Sequence, residues 1–304
     1  MRKLILSLAI IFCLTVSITA DEGMWLPSQI KQIMLYEQMK ELGLELSPEE
    51  IYDINNSSIK DAIVAINGGS CTGEIISPQG LMLTNHHCAY GVVQALSSVE
   101  NDYLSDGFWA MSQDEEMRVE DYRVSFLIRM EDVTNRFQEV LSEDMTSQQR
   151  QSIIAELSNQ IAEDAQAKTG YEASVKSFYS GNEFYLFLYE VYNDVRLVGI
   201  PPESIGKFGG DTDNWMWPRQ TGDFALFRVY AAPDGSPAEY SEDNVPLEPR
   251  HHLPVSLDGV QEGDFSMVFG FPGSTDRFLT SYGVEMQLDI NNPTRVAIRD
   301  RRLK

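Results

Sequence analysis

Two stretches of this sequence hold side chains that can move a proton or hold an amine. The first is Cys71-Thr72-Gly73-Glu74-Ile75-Ile76-Ser77-Pro78-Gln79-Gly80-Leu81-Met82-Leu83-Thr84-Asn85-His86-His87-Cys88. Histidine titrates near neutrality and acts as a general base when a rigid element presents it to the reacting group. The second runs from Phe208 to Val229 and contains Asp211, Asp213, Asn214, Trp215, Trp217 and Asp223. Its amide and carboxylate oxygens can accept from an imidazole or an ammonium, and its tryptophans can wall off the end of a ligand. Each feature also has a plain reading: a packed core histidine, a polar turn at Asp211 and Asp213, and core packing for Trp215 and Trp217. The residues alone leave both readings open.

The elements that must position these groups can be read from pattern. Glu74–Ser77 and Leu81–Thr84 are short apolar runs on either side of Pro78-Gln79-Gly80. Proline sets φ at the second position of a turn and glycine suits its exit, so a β-hairpin is predicted. A bridge between Cys71 and Cys88 would close its base and fix where the histidines point. Cys13 lies in a leader-like segment, so the mature chain keeps only these two cysteines, the number for one disulfide in an exported protein. The alternative is a metal pair. Adjacent His86 and His87 do not easily face one ion, and no further Cys/His cluster is present, so neither metal nor cofactor is expected. Further on, Phe224, Leu226 and Arg228 alternate with Ala225, Phe227 and Val229, a strand opened by Asp223.

Leu83-Thr84-Asn85-His86-His87-Cys88 resembles the segment around the catalytic histidine of chymotrypsin-like serine peptidases. Asp223-Phe224-Ala225-Leu226-Phe227-Arg228 resembles the setting of their triad aspartate. The longer string from Asn67 to Cys88 is similar to the bacterial peptidase family S46, the dipeptidyl-peptidases of the 7 and 11 types. The resemblance covers nearly all of residues 21–304. It implies His87, the residue before Cys88, as the base, with Asp223 orienting it through the imidazole Nδ1–H. It also implies that Asn214 and Trp215 hold the free α-amino group of a peptide substrate, and that the full-length enzyme forms a homodimer.

Residues 1–20 carry Arg2 and Lys3, an apolar run Leu4–Val16, and Thr19-Ala20. This is the pattern of a secretory signal peptide cleaved before Asp21, with a membrane anchor as the alternative. Ile30, Ile33, Met34 and Leu42 recur at helical spacing. Ser47-Pro48-Glu49-Glu50 and Thr146-Ser147-Gln148-Gln149 are capping boxes that open helices, the second running to about Lys168 and stopping at Gly170. Strands are predicted at Asp61–Ile66, Arg123–Met130, Ala173–Phe178, Glu183–Tyr192 and Val195–Ile200. Leu253–Leu257 and Asp264–Gly270 are read as strands, and helix from Tyr282 onward.

The expected fold is therefore mainly β with helical insertions. By resemblance it is a chymotrypsin-like double β-barrel: an N-terminal barrel over 21–245, the first part of a second barrel over 246–281, and the start of a helical domain over 282–304. The formal charge of −23 disfavours nucleic acid and anionic membranes. A nucleophilic serine needs a tight glycine-flanked turn, commonly Gly-x-Ser-Gly, and no such motif is present. Ser70 and Ser274 both lack the following glycine. The expected function is a serine-type dipeptidyl aminopeptidase, exported to the periplasm or cell surface of a bacterium, with this chain a fragment that lacks the serine. A secreted trypsin-like endopeptidase and a non-catalytic binding protein on a peptidase scaffold are the alternatives.

Overall fold

The computed structural model describes residues 24–31, 35–210, 220–273 and 279–304. The described residues divide into two compact units, one lying within Met1–Ser58 and Asp258–Met267, the other within Ile59–Leu257 and Val268–Lys304.

In the first unit, helix α1 spans Leu35–Glu41 and helix α2 spans Pro48–Ile51. The predicted capping box is present at α2. Ser47 accepts from the Glu50 amide, and the Glu50 carboxylate takes the Ser47 N–H at 2.7 Å. Gly43 follows α1 with φ +108°, a conformation that side-chain-bearing residues rarely adopt.

The second unit is built on one antiparallel sheet with helices between its strands. In chain order these are β1 (Ile63–Ile66), β2 (Cys71–Ile75), β3 (Leu81–Thr84), β4 (Phe108–Trp109), β5 (Met117–Arg118), β6 (Val124–Asp132), β7 (Glu172–Phe178), β8 (Glu183–Tyr192), β9 (Asp194–Ile200), β10 (Ala225–Ala231) and β11 (Val245–Pro246). Hydrogen bonding follows the order β4-β9-β10-β3-β2-β1-β6-β8-β7, with β11 on β10 and β5 on β9. The β2–β3 hairpin forms as predicted. At its turn Gly80 has φ +64°, and Ser77 Oγ accepts from the amides of Gln79 and Leu81.

Alternating strand residues fill the main core. Ala225, Phe227 and Val229 are buried, while Leu226 and Arg228 are only partly so. They meet Val64, Ile75, Met82, Val124 and Leu197. The helical insertion expected between strands is α6 (Ser147–Thr169), preceded by the short helices α4 (Tyr103–Asp106) and α5 (Thr134–Gln138). Its capping box forms at Thr146, and Gly170 ends it in the left-handed conformation. A second apolar cluster, Phe137, Ile161, Phe184, Leu186 and Leu188, joins these helices to β8. Phe137 and Phe184 stack with ring centroids 3.8 Å apart.

Three expectations need correction. The Asp61–Ile66 strand begins only at Ile63, because residues 59–62 form a 3-10 turn that buries the Lys60–Asp61 ion pair. After β3 the chain enters helix α3 (His86–Leu96), a stretch for which no element was predicted. Leu253–Leu257 and Asp264–Gly270 are not strands. A strand exists only where a neighbour takes its N–H and C=O groups. The backbone bond found for the first of these segments, from Leu253 N to the Ile75 carbonyl, is 2.8 Å, and Val255, Leu257 and Val268 are strongly exposed. A helical C-terminal stretch is present from Ser281 to Arg302, with no residue buried.

Candidate active site

β3 and β10 are antiparallel neighbours, and Thr84 pairs with Ala225. The end of β3 therefore lies beside the start of β10, and that register collapses the 136-residue separation between His87 and Asp223. His87 Nδ1 lies 2.8 Å from Asp223 Oδ2. The other carboxylate oxygen, Oδ1, accepts from the His87 backbone N–H at 3.0 Å. Asn85 Nδ2 donates to Oδ2 at 3.3 Å and to the Asp223 carbonyl at 3.2 Å.

Helix termini explain why the chain folds this way. The first amides of a helix have no partner within it, and the aligned peptide dipoles favour negative charge there. Asn85 occupies the N-cap position of α3 but does not cap it with its own side chain. Asp223, from a distant part of the sequence, takes the His87 amide instead. One carboxylate thus caps the helix and orients the imidazole. His87 is presented outward, its side chain 69% exposed, while Asp223 is 16% exposed. That asymmetry leaves the second ring nitrogen, Nε2, open to a ligand and shields the orienting group.

The predicted disulfide is present. Cys71 and Cys88 are joined with their Cα atoms 6.2 Å apart, tying the start of β2 to the first turn of α3. Nearby, Thr84 Oγ1 donates to the Thr72 carbonyl at 2.7 Å. Both cysteine sulfurs and a His87 ring nitrogen lie within 4.8 Å of one another. The sulfurs are consumed in the disulfide, so this group does not offer the thiolates that a soft metal needs.

His86 points the other way and is 1% exposed. Burial pushes its pKa below the ordinary histidine value, opposed by the charges of Asp223 and Glu203 and by a hydrogen bond to the Pro201 carbonyl. Sequence reasoning named His87 and Asp223 but not Asn85 or the use of His86. The only signal for Asn85 was its place immediately before the histidine pair.

Residues 20–304 match the family profile Peptidase S46. The chain belongs to the S46 peptidase family. It is 48% identical to a dipeptidyl-peptidase 7 of Capnocytophaga gingivalis over 96% of this chain and 41% of the relative. It is 45% identical to an Asp/Glu-specific dipeptidyl-peptidase of Porphyromonas gingivalis over 98% of this chain and 42% of the relative. A crystal structure of Porphyromonas endodontalis DPP11 in complex with the dipeptide Arg-Asp superposes with a TM-score of 0.83 at 44% identity, covering 92% of this chain and 41% of that one. The chain thus spans about two fifths of the length of these S46 relatives. Asn214 and Trp215 lie outside the described residues.

Proposed function

We propose that this S46 chain carries the proton-handling half of a serine-type dipeptidyl aminopeptidase, an enzyme that releases dipeptides from the free N-terminus of peptides. The observation that carries the reading is the 2.8 Å contact between His87 Nδ1 and a shielded Asp223 carboxylate. A carboxylate at Nδ1 fixes the tautomer in which Nε2 holds the lone pair, which is the state of a general base. Nε2 would take the proton of a serine hydroxyl as it attacks the second peptide bond and return it to the leaving amine. Asp223 stabilises the imidazolium between the two steps. Among the described residues no serine hydroxyl is hydrogen-bonded to His87, and the sequence has no Gly-x-Ser-Gly, so the nucleophile is expected outside residues 1–304.

Asn214 and Trp215 are proposed to hold the substrate's α-ammonium, the Asn carbonyl accepting from it and the indole closing the end of the site. The relatives are named both as dipeptidyl-peptidase 7 and as Asp/Glu-specific, each at 48% identity, so identity does not select a side-chain preference. The whole fold is proposed as a chymotrypsin-like double β-barrel with a helical domain following residue 282, assembling as a homodimer. Export to the periplasm or cell surface is supported by the Met1–Ala20 pattern and by the disulfide. Among the described residues no helix is long and apolar enough to cross a membrane.

The test uses the protein expressed from the whole reading frame, on fluorogenic dipeptidyl substrates with free and with acyl-blocked N-termini. Release from the free form alone, lost in His87→Ala, is the expected result. Equal cleavage of both forms would make it an endopeptidase and remove the amine-holding role.

A further inference from the structure

His86 is a buried titratable side chain that the proposed mechanism does not use. Its ring fills the space beside Gly206: a Cβ at that position would sit 2.1 Å from Cδ2 and 2.4 Å from Cγ, so no other residue fits without displacing the ring. Gly206 closes the short helix α7 (Glu203–Gly206), which begins after Pro201-Pro202. Pro201 supplies the carbonyl that accepts from the His86 ring. Nε2 is buried and has no hydrogen-bond partner among the described residues, which makes Nδ1 the donor to Pro201.

The same turn is joined to the stretch that presents Asp223. The Ile205 carbonyl accepts from the Gly222 amide at 3.0 Å, and Thr221 Oγ1 donates to the Phe208 carbonyl at 2.7 Å. A Cβ on Gly222 would meet the Ile205 side chain at Cγ2, 2.7 Å away, so the bare Gly222 backbone packs directly against Ile205. His86 thus contacts one side of a turn whose other side holds the residue before Asp223. His87, one residue along the helix, receives that aspartate.

We propose that His86 is a positioning residue, whose uncharged ring wedges the Pro201–Gly206 turn in place and so holds Asp223 in register with His87. The proposal rests on the reading of His87 and Asp223 as base and orienter. A proton on Nε2 would place a buried N–H with no acceptor against Gly206, at the cost of an unsatisfied charged donor. The groups that face the ring are Asp223 and Glu203, which favour the charged form, His87, which opposes it, and the edge of Tyr90 with centroids 6.1 Å apart. Tyr90 in turn carries Lys207 over its face and donates to Glu203 Oε2 at 3.4 Å. Burial keeps the ring neutral at neutral pH despite the two carboxylates.

The experiment is ring- and amide-15N NMR of the 304-residue chain, as wild type, His86→Asn and Gly206→Ala. Histidine ring shifts report tautomer and protonation separately for His86 and His87. Above neutrality, wild type should show both rings as the Nδ1–H tautomer. As pH falls, the Gly222 and Asp223 amide signals should move in the step in which His86 takes up its proton. That step should vanish in His86→Asn, which keeps a donor for Pro201 and cannot be charged. Gly206→Ala should lose the His87 Nδ1–H tautomer at every pH. Gly222 and Asp223 signals indifferent to the His86 proton would overturn the proposal, and that result needs no variant to fold. A wild-type His87 without the Nδ1–H tautomer would overturn the His87–Asp223 reading itself, and this proposal with it.

Discussion

At the scale of single residues, the site depends on what Asp223 does with its two oxygens: one takes a helix amide and the other takes an imidazole. The pairings of His87 with Asp223 and of Cys71 with Cys88 were legible because these residues sit in recognisable local strings. Asn85 and His86 were not, because their roles arise only once β3 and β10 pair and the Pro201–Gly206 turn arrives from elsewhere in the chain. His86 carries a consequence for stability. Its folded pKa lies below the ordinary value of 6.5, so the unfolded chain binds the proton first as pH falls. The stabilisation from burying a neutral ring is complete above that value, and is lost progressively between it and the lower folded value. Urea titrations at a series of pH values should show wild type losing stability in this window more steeply than His86→Asn; parallel curves would mean that His86 takes up its proton equally in both states. A second expectation concerns Asn214. If it accepts from the substrate ammonium, Asn214→Ala in the full-length enzyme should lower kcat/KM on free-amine substrates about 10- to 150-fold, the equivalent of one hydrogen bond to a charged group. Reaction of the serine with a small organophosphate should be nearly unchanged, and equal loss in both assays would assign Asn214 to the fold.

The elements show which patterns suffice and which do not. Glu183–Tyr192 and Leu81–Thr84 were read with the observed bounds, and both capping boxes formed, because alternation and capping are local signals. The helix beginning at His86 was missed because its start signal is an aspartate 136 residues away in sequence. The segments around 255 and 267 have strand-like composition but no ladder partner among the described residues, and composition cannot supply one. The disulfide joins β2 to α3 and closes a short loop, so removing it frees the unfolded chain. Cys71→Ser with Cys88→Ser should cost about 2–4 kcal/mol in denaturant unfolding. Alkylation of the exported protein without reduction should find no free thiol, and two labelled thiols would contradict the bridge. The satellite cluster under α6 offers a separate check. Phe137 is fully buried and stacked on Phe184, so Phe137→Ala should cost about 3–5 kcal/mol. Amide exchange in α6 should accelerate with it, and an unchanged α6 would show that the helix does not depend on this cluster.

On the scale of the whole molecule, one antiparallel sheet brings His87 and Asp223, the proposed base and its orienter, together at adjoining strand ends. The family was legible from the Asn67–Cys88 string, since that run combines turn, cysteine and histidine chemistry at fixed spacing. The strands read at Leu253–Leu257 and Asp264–Gly270 for a second barrel do not form, because they have no ladder partners among the described residues. His87 and Asp223 are proposed to act on a hydroxyl that the described residues do not bring to them. The 304-residue chain alone should therefore hydrolyse no dipeptidyl or N-blocked peptide, and activity abolished by His87→Ala with a phosphonate label on a serine within 1–304 would refute this. The proposed site rests on Asp223 orienting His87 for proton transfer. Its most direct test is kcat of Asp223→Asn against wild type, in the protein expressed from the whole reading frame, on a free-amine dipeptidyl substrate. An amide in place of the carboxylate permits the wrong tautomer, so kcat should fall about 10,000-fold with the far-ultraviolet circular dichroism unchanged. A fall of less than about tenfold, equivalent to under 1.4 kcal/mol of barrier, would contradict an orienting role for Asp223.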